Sequence, residues 1–149
     1  MKKILLLLVA VLCAVTGYAE TNPRPFTIPA IHEWKGGVGQ LALTADSRIF
    51  YADARLRPAA ELLARDLQTL TGLTLSVAEG RKAAGADILF CYRQQKRWGA
   101  EGYTIDINKC VRVEAVERGA LHAAQTLLQM ASPAAAPFNF QFSTLNFQL

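Results

Sequence analysis

Two periods alternate along this chain. Leu41, Leu43 and Ala45 alternate with Gln40, Ala42 and Thr44, a period of two that predicts a strand with one face buried. Asp46-Ser47 turns the chain into a second short strand, Arg48-Ile49-Phe50-Tyr51. The period then lengthens. Pro58 suits the first turn of a helix, where a missing N–H costs nothing, and Ala59, Leu62, Leu63, Leu67 and Leu70 form an apolar stripe that Gly72 closes. Glu61 and Arg65 stand four apart on its exposed side, in the order that favours an ion pair. Period two returns at Leu73, Leu75 and Val77, and the nearly unbroken apolar run Ala86–Tyr92 predicts a central strand covered on both faces.

The stretch Glu101–Met130 repeats this alternation. Tyr103, Ile105 and Ile107 face one way, Thr104 and Asp106 the other. Asn108-Lys109 turns the chain, and Val111, Val113 and Ala115 complete a hairpin. Gly119 opens a helix whose apolar face is Ala120, Leu121, Ala124, Leu127, Leu128 and Ala131, with Gln125 and Gln129 at its edge. The whole reads as α+β: a single sheet of about six strands with two helices packed on one face.

The residues Glu101-Gly102-Tyr103, then strand, turn, strand, Gly119 and a helix carrying Gln125-Thr126-Leu127, resemble the small N-terminal domain of β-N-acetylhexosaminidases of glycoside hydrolase family 20. Ile28-Pro29-Ala30, followed by Trp34 and Gly36-Gly37, also recurs at the start of that domain. The resemblance covers Ile28 to Met130 and implies the same zincin-like α+β fold. It also implies that Glu101, Gly102, Tyr103, Gly119, Gln125, Thr126 and Leu127 form a structural signature, not a catalytic one. In that family the chemistry belongs to a following barrel, whose adjacent Asp-Glu pair works with the substrate's own acetamido group. The implied partner of the domain is that barrel.

Composition bears mainly on address. Lys2-Lys3, the apolar run Ile4–Val15 and Gly17-Tyr18-Ala19 describe a cleavable leader over residues 1–19, too short to span a bilayer. Cys13 as a lipid-bearing residue is disfavoured by bulky Leu12. The expected destination is the periplasm or the medium. The mature remainder, about 130 residues, suits one compact domain. The formal charge of +4 loses Lys2 and Lys3 with the leader, so the basic pI of 9.2 lends little support to nucleic-acid binding. Cys91 and Cys110 remain, free to pair in an oxidising compartment or to stay as buried thiols. Residues 20–39, with Pro23, Pro25, Pro29 and Gly36-Gly37-Val38-Gly39, read as an extended lead-in ending in a flexible turn, and residues 40–131 as the domain. The glycines lack the Lys-Ser/Thr of a phosphate-binding loop.

Beyond residue 131 the tail 132–149 is apolar, uncharged and alternating (FNFQFSTLNFQL). It reads as read-through after loss of a barrel, or else as an extra strand or docking segment.

Candidate chemistry is sparse. No Asp is followed by Glu, and a barrel alone needs at least about 200 residues. His32-Glu33 lacks the second His of a zinc-protease motif, His122 reads as a half-exposed helix residue, and no cofactor or metal set is spaced along the chain. Glu101 reads as a strand-start residue that caps or pairs. The loop Arg93–Gly99 is basic with one aromatic. Arg97 and Trp98 are its candidate contacts for an amino-sugar glycan, with a Trp-anchored solvated loop as the plainer reading. Two functions remain: a non-catalytic hexosaminidase domain apart from its barrel and inactive alone, or a stand-alone exported module binding a glycan or protein.

Overall fold

A computed structural model of the chain describes residues 20–131 and 138–147, the latter segment through its backbone and strand pairing. The leader (1–19), the start of the tail (132–137) and its last two residues lie outside the described residues. The described elements are β1 (Glu33–Leu43), β2 (Arg48–Tyr51), α1 (Arg57–Thr71), β3 (Ser76–Glu79), β4 (Ile88–Tyr92), β5 (Tyr103–Ile107), β6 (Val111–Ala115), α2 (Glu117–Met130) and β7 (Phe138–Phe147). One sheet takes all seven strands, in the order β1-β7-β5-β6-β4-β2-β3. The two helices pack on each other over one face of the sheet, as the α+β reading expected.

The sheet has two halves that meet at β6. On one side β6, β4, β2 and β3 run parallel; on the other β6, β5, β7 and β1 are successively antiparallel. Ile49, Ile88, Phe90, Ile105, Ile107, Val111 and Val113 project from both halves into a core completed by Leu63 and Leu67 of α1 and by Ala120, Ala124 and Leu127 of α2. The hairpin lies in register, Ile107 opposite Val111, as its alternation predicts.

α1 ends where expected. Gly72 takes φ +77°, a left-handed conformation that glycine adopts without strain, and its N–H reaches the Gln68 carbonyl at 2.8 Å. The helix surface differs from expectation. Glu61 pairs backwards with Arg57 at 2.7 Å while Arg65 turns to Asp66, because Arg57 in the first turn offers the same four-residue spacing. Leu70 and Leu121, placed by periodicity on the apolar stripes, are exposed.

The glycine-rich turn is also not a turn. Gly36 to Gly39 lie inside β1, where the ladder with β7 shifts register between Gly36 and Gln40. Asn22 holds this bulge: its N–H donates to the Gly37 carbonyl at 2.7 Å and its side-chain amide to the Gly39 carbonyl at 2.8 Å. A Cβ at Gly36 would strike the Asn22 carbonyl oxygen, so the glycine serves a close approach of backbone to backbone.

The sheet also continues past residue 131. β7 pairs with β1 on one side and β5 on the other, so the tail's strand character is realised in the interior of the sheet.

Candidate functional site

The residues singled out at 97–103 and 119–127 converge where β5 begins and α2 starts. Trp98 lies in the loop before β5 and is buried, 6% exposed. Its backbone folds tightly, the N–H donating to the Gln95 carbonyl at 3.0 Å. Gly102 sits directly on it, and a Cβ there would overlap Trp98 Cβ and Cγ. The next layer is Gly119, whose own Cβ would strike the Gly102 carbonyl oxygen and lie 2.9 Å from that of Glu101. The same Gly102 carbonyl accepts the N–H of Val116, the residue that opens α2, at 3.3 Å. Two glycines thus let a helix start and a strand start touch through their backbones, above an indole.

The remaining signature residues tie the same two elements together. The Tyr103 hydroxyl and Thr126 Oγ1 are 2.5 Å apart and buried, joining β5 to the middle of α2. Leu127 is fully buried beside them. Glu101 Oε2 lies 3.5 Å from Nε2 of His122, one helical turn into α2. Gln125 faces outward into a cleft of about 230 Å³, shared with Ile28, Pro29, Tyr103, His122, Thr126 and Gln129.

The titratable residues lining this cleft are Tyr103 and His122. Burial pushes the Tyr103 phenol up to about 12, against a smaller opposing effect of its bond to Thr126, so at neutral pH the phenol keeps its proton. Among the described residues, no carboxylate lines the cleft to join Glu101 in a general acid and base pair. Arg97 points away, with Nη1 3.8 Å from Glu33 Oε1 and Nε 3.3 Å from Gln95 Oε1. Arg97 is exposed, whereas Trp98 is buried beneath Gly102. The indole Nε1–H of Trp98 is buried without a partner among the described residues.

A second cleft, of about 340 Å³, opens at the C-terminal ends of the parallel strands β2 and β4, lined by Ala52, Asp53, Arg81, Cys91, Tyr92 and Arg112. Sequence reasoning singled out none of its charged residues; Asp53 two residues before Arg55, at a helix start, is the signal that was available. Arg55 grips Asp53 through Nε at 2.9 Å and Nη2 at 2.7 Å and lies over the Tyr92 ring, 3.6 Å from its centroid. The hydrogen bonds from Arg55 lower the Asp53 carboxyl to about 2. Burial raises the Cys91 and Cys110 thiols, which are accordingly poor nucleophiles at neutral pH. Both cysteines are free. Cys91 is opposite Glu114, four residues along from Cys110, roughly 13 Å at strand rise and well beyond the ~7 Å a disulfide spans. Among the described residues, no three His, Cys, Asp or Glu come together to hold a metal, and no helix is long and apolar enough to cross a membrane.

Comparison with known proteins agrees with this geometry. The family model described as glycosyl hydrolase family 20, domain 2, matches residues 24–145. A search of curated protein sequences finds no match. Among solved structures, a mutant Streptomyces plicatus β-hexosaminidase in complex with the product GlcNAc superposes with a TM-score of 0.74 at 25% identity, covering 88% of this chain and 28% of that one. The family 20 β-N-acetylhexosaminidase of Streptomyces coelicolor gives 0.67 at 24% identity, over 87% of this chain and 28% of that one. The exo-β-N-acetylglucosaminidase of Vibrio harveyi, bound to N-acetylglucosamine, gives 0.67 at 16% identity, over 87% of this chain and 20% of that one. The chain thus spans between a fifth and somewhat over a quarter of the solved relatives it matches.

Proposed function

The chain belongs to glycosyl hydrolase family 20, as that family's domain 2, and from that membership we propose that it is the non-catalytic domain of an exported β-N-acetylhexosaminidase. Its work is to pack against the barrel and stabilise it. The observation that carries this reading is where the signature residues spend their polar groups. Gly102, Tyr103, Gly119 and Thr126 join β5 to α2, and none presents a reactive group to solvent. The absence of any Asp-Glu step in the sequence supports inactivity of the chain alone, and Lys2-Lys3 with Ile4–Val15 supports export.

The test is a pair of assays on the purified chain. It should release no chromophore from a chromogenic N-acetylglucosaminide, and it should bind N-acetylglucosamine oligomers without saturation in calorimetry. Turnover would overturn the proposal, and so would saturable binding lost in a folded Trp98→Ala variant. Sequencing the locus beyond the codon for Leu149 in all three frames is the genetic counterpart. A frame encoding a barrel with an Asp-Glu pair is the expected result.

A further inference from the structure

We propose that the cleft at the C-terminal ends of β2 and β4 binds a small organic anion, a carboxylate or phosphate carried on a body of monosaccharide size, gripped by Arg81 and Arg112. The reading of the chain as a hexosaminidase domain does not require this site, and its failure would leave that reading untouched.

The cleft follows from the route of the chain. β2 leads through α1 to β3 at the edge of the sheet, and the chain then returns past β2 to β4, so β2 lies between β3 and β4 and parallel to both. The return starts on the face away from the helices. Ile49 points into the core, Phe50 by alternation points the other way, and a Cβ on Gly80 would meet the Phe50 ring. α1 thus departs from one face of the strands and the segment after β3 from the other. Parallel strands whose connections part in this way leave a crevice beyond their carboxyl ends, the place where such sheets bind ligands. Here the crevice holds about 340 Å³, within the range of small-molecule sites.

Cations converge on it from separate elements. Arg81 follows two residues after the end of β3, and Arg112 reaches over from β6, where it lies opposite Leu89 of β4. Arg81 is exposed and makes no hydrogen bond or ion pair among the described residues. Arg112 spends its Nε on Glu114 Oε1 at 3.2 Å, and that carboxylate is shared, since Arg93 Nη1 donates to its other oxygen. Asp53, the acid that lines the cleft, is already held at two points by Arg55. The guanidinium groups of Arg55, Arg81, Arg93 and Arg112 therefore stand against the carboxylates of Asp53 and Glu114 alone, and positive charge is left over at the cleft. Guanidinium donors in a planar fork match the paired oxygens of a carboxylate or phosphate.

The remaining walls bear on what carries the anion. Ala52, Cys91 and the ring of Tyr92 add apolar surface, and Arg55, 3.6 Å from the Tyr92 centroid, steadies that ring. A bare ion would leave these walls untouched. A sugar-sized body attached to the anion covers them.

The test titrates the full chain at low ionic strength with glucuronate, glucose 6-phosphate, inorganic phosphate and glucose, by calorimetry and by NMR of the backbone amides. At least one of the two sugar anions should saturate at about 1 mM, with shifts centred on residues 52–53, 81, 91–92 and 112. Which of them binds separates the carboxylate source from the phosphate source. Arg81→Ala, which breaks no hydrogen bond within the chain, should weaken binding about tenfold while the thermal melt stays native. Arg112→Gln should weaken it as well, and Arg65→Ala, which removes the same charge from the exposed side of α1, should leave it unchanged. Binding that survives both cleft variants overturns the proposal, as does equal binding of glucose. Inorganic phosphate held as tightly as either sugar anion also overturns it, because the apolar walls would then have no part. So does the lack of saturation by either sugar anion.

Discussion

The two halves of the sheet were built by different rules. In the parallel half, β2, α1, β3 and β4 follow one another within some forty-five residues, and each apolar run is bounded by a turn residue. In the antiparallel half, β1 and β7 come from opposite ends of the chain, yet pair from Glu33 opposite Asn146 to Leu43 opposite Phe138. One half is assembled from neighbours in sequence; the other must close a loop of about a hundred residues before its outer pair, β1 and β7, can form. The signature cluster sits at the boundary, since β5 belongs to the antiparallel half and α2 covers both. A seam between halves of such different origin needs close contact more than chemistry. Glycine, a buried phenol and a buried threonine are the residues that allow it.

The largest effect should come from removing the distant half's central strand. Deleting residues 138–147 strips β1 of its partner and exposes the edge of β5, and the chain should lose cooperative unfolding in a thermal melt. A melt within a few degrees of the intact chain would mean that the parallel half and the hairpin stand alone.

Gly119→Ala comes next and tests the seam by sign. In an exposed helix interior Gly to Ala stabilises by about 1 kcal/mol, but here the added methyl meets two backbone carbonyls that have nowhere to go. Urea unfolding should show a loss of about 2–3 kcal/mol, and a gain would show that the helix can lift off the strand at no cost.

Tyr103→Phe, which removes the hydroxyl but keeps the ring, should cost about 1–2 kcal/mol. The same phenol fixes an alkaline limit. Its folded value near 12 lies above its ordinary value of 10.0, so its contribution is intact below pH 10 and disappears as pH rises towards 12. Stability followed across that window should fall in the native chain and fall less in Tyr103→Phe.

The smallest effect belongs to the open cleft in the parallel half. The Asp53 carboxyl is lowered in the folded chain, so the stability it lends is present above about pH 4 and is lost as pH falls through about 2. Asp53→Asn should flatten that acid limb and lower the urea midpoint at pH 7 by the same small amount, because both measure one interaction and the Arg55 pair is largely solvent-exposed. A steeper acid limb in the variant would show that Arg55 is held by Tyr92 and not by Asp53.

Much of this was legible in the sequence because it is local. Period two marked β5 and β6, the turn at Asn108-Lys109 set their pairing, and Pro58 and Gly72 bounded α1. Tyr103, Gly119 and Thr126 were identifiable as signature residues through their resemblance to a family. Their contacts were not, because Tyr103 meets Thr126 across twenty-three positions, a pairing that no periodicity encodes. The Arg57–Glu61 choice over Glu61–Arg65 was likewise open, as both spacings are equal on a helix and side-chain placement settles which forms.

By itself, then, the sequence determined the class of fold and the order of most elements, since these come from burial patterns that each segment carries alone, while the family came from the resemblance of its signature residues. Tertiary structure decided the rest. It brought the glycines at 36–39 into a bulged strand held by Asn22, put residues 138–147 between β1 and β5, buried Trp98 under Gly102 and left Leu70 and Leu121 outside. Each of these depends on which distant backbone arrives at a given place, and a chain read one window at a time holds no record of that arrival.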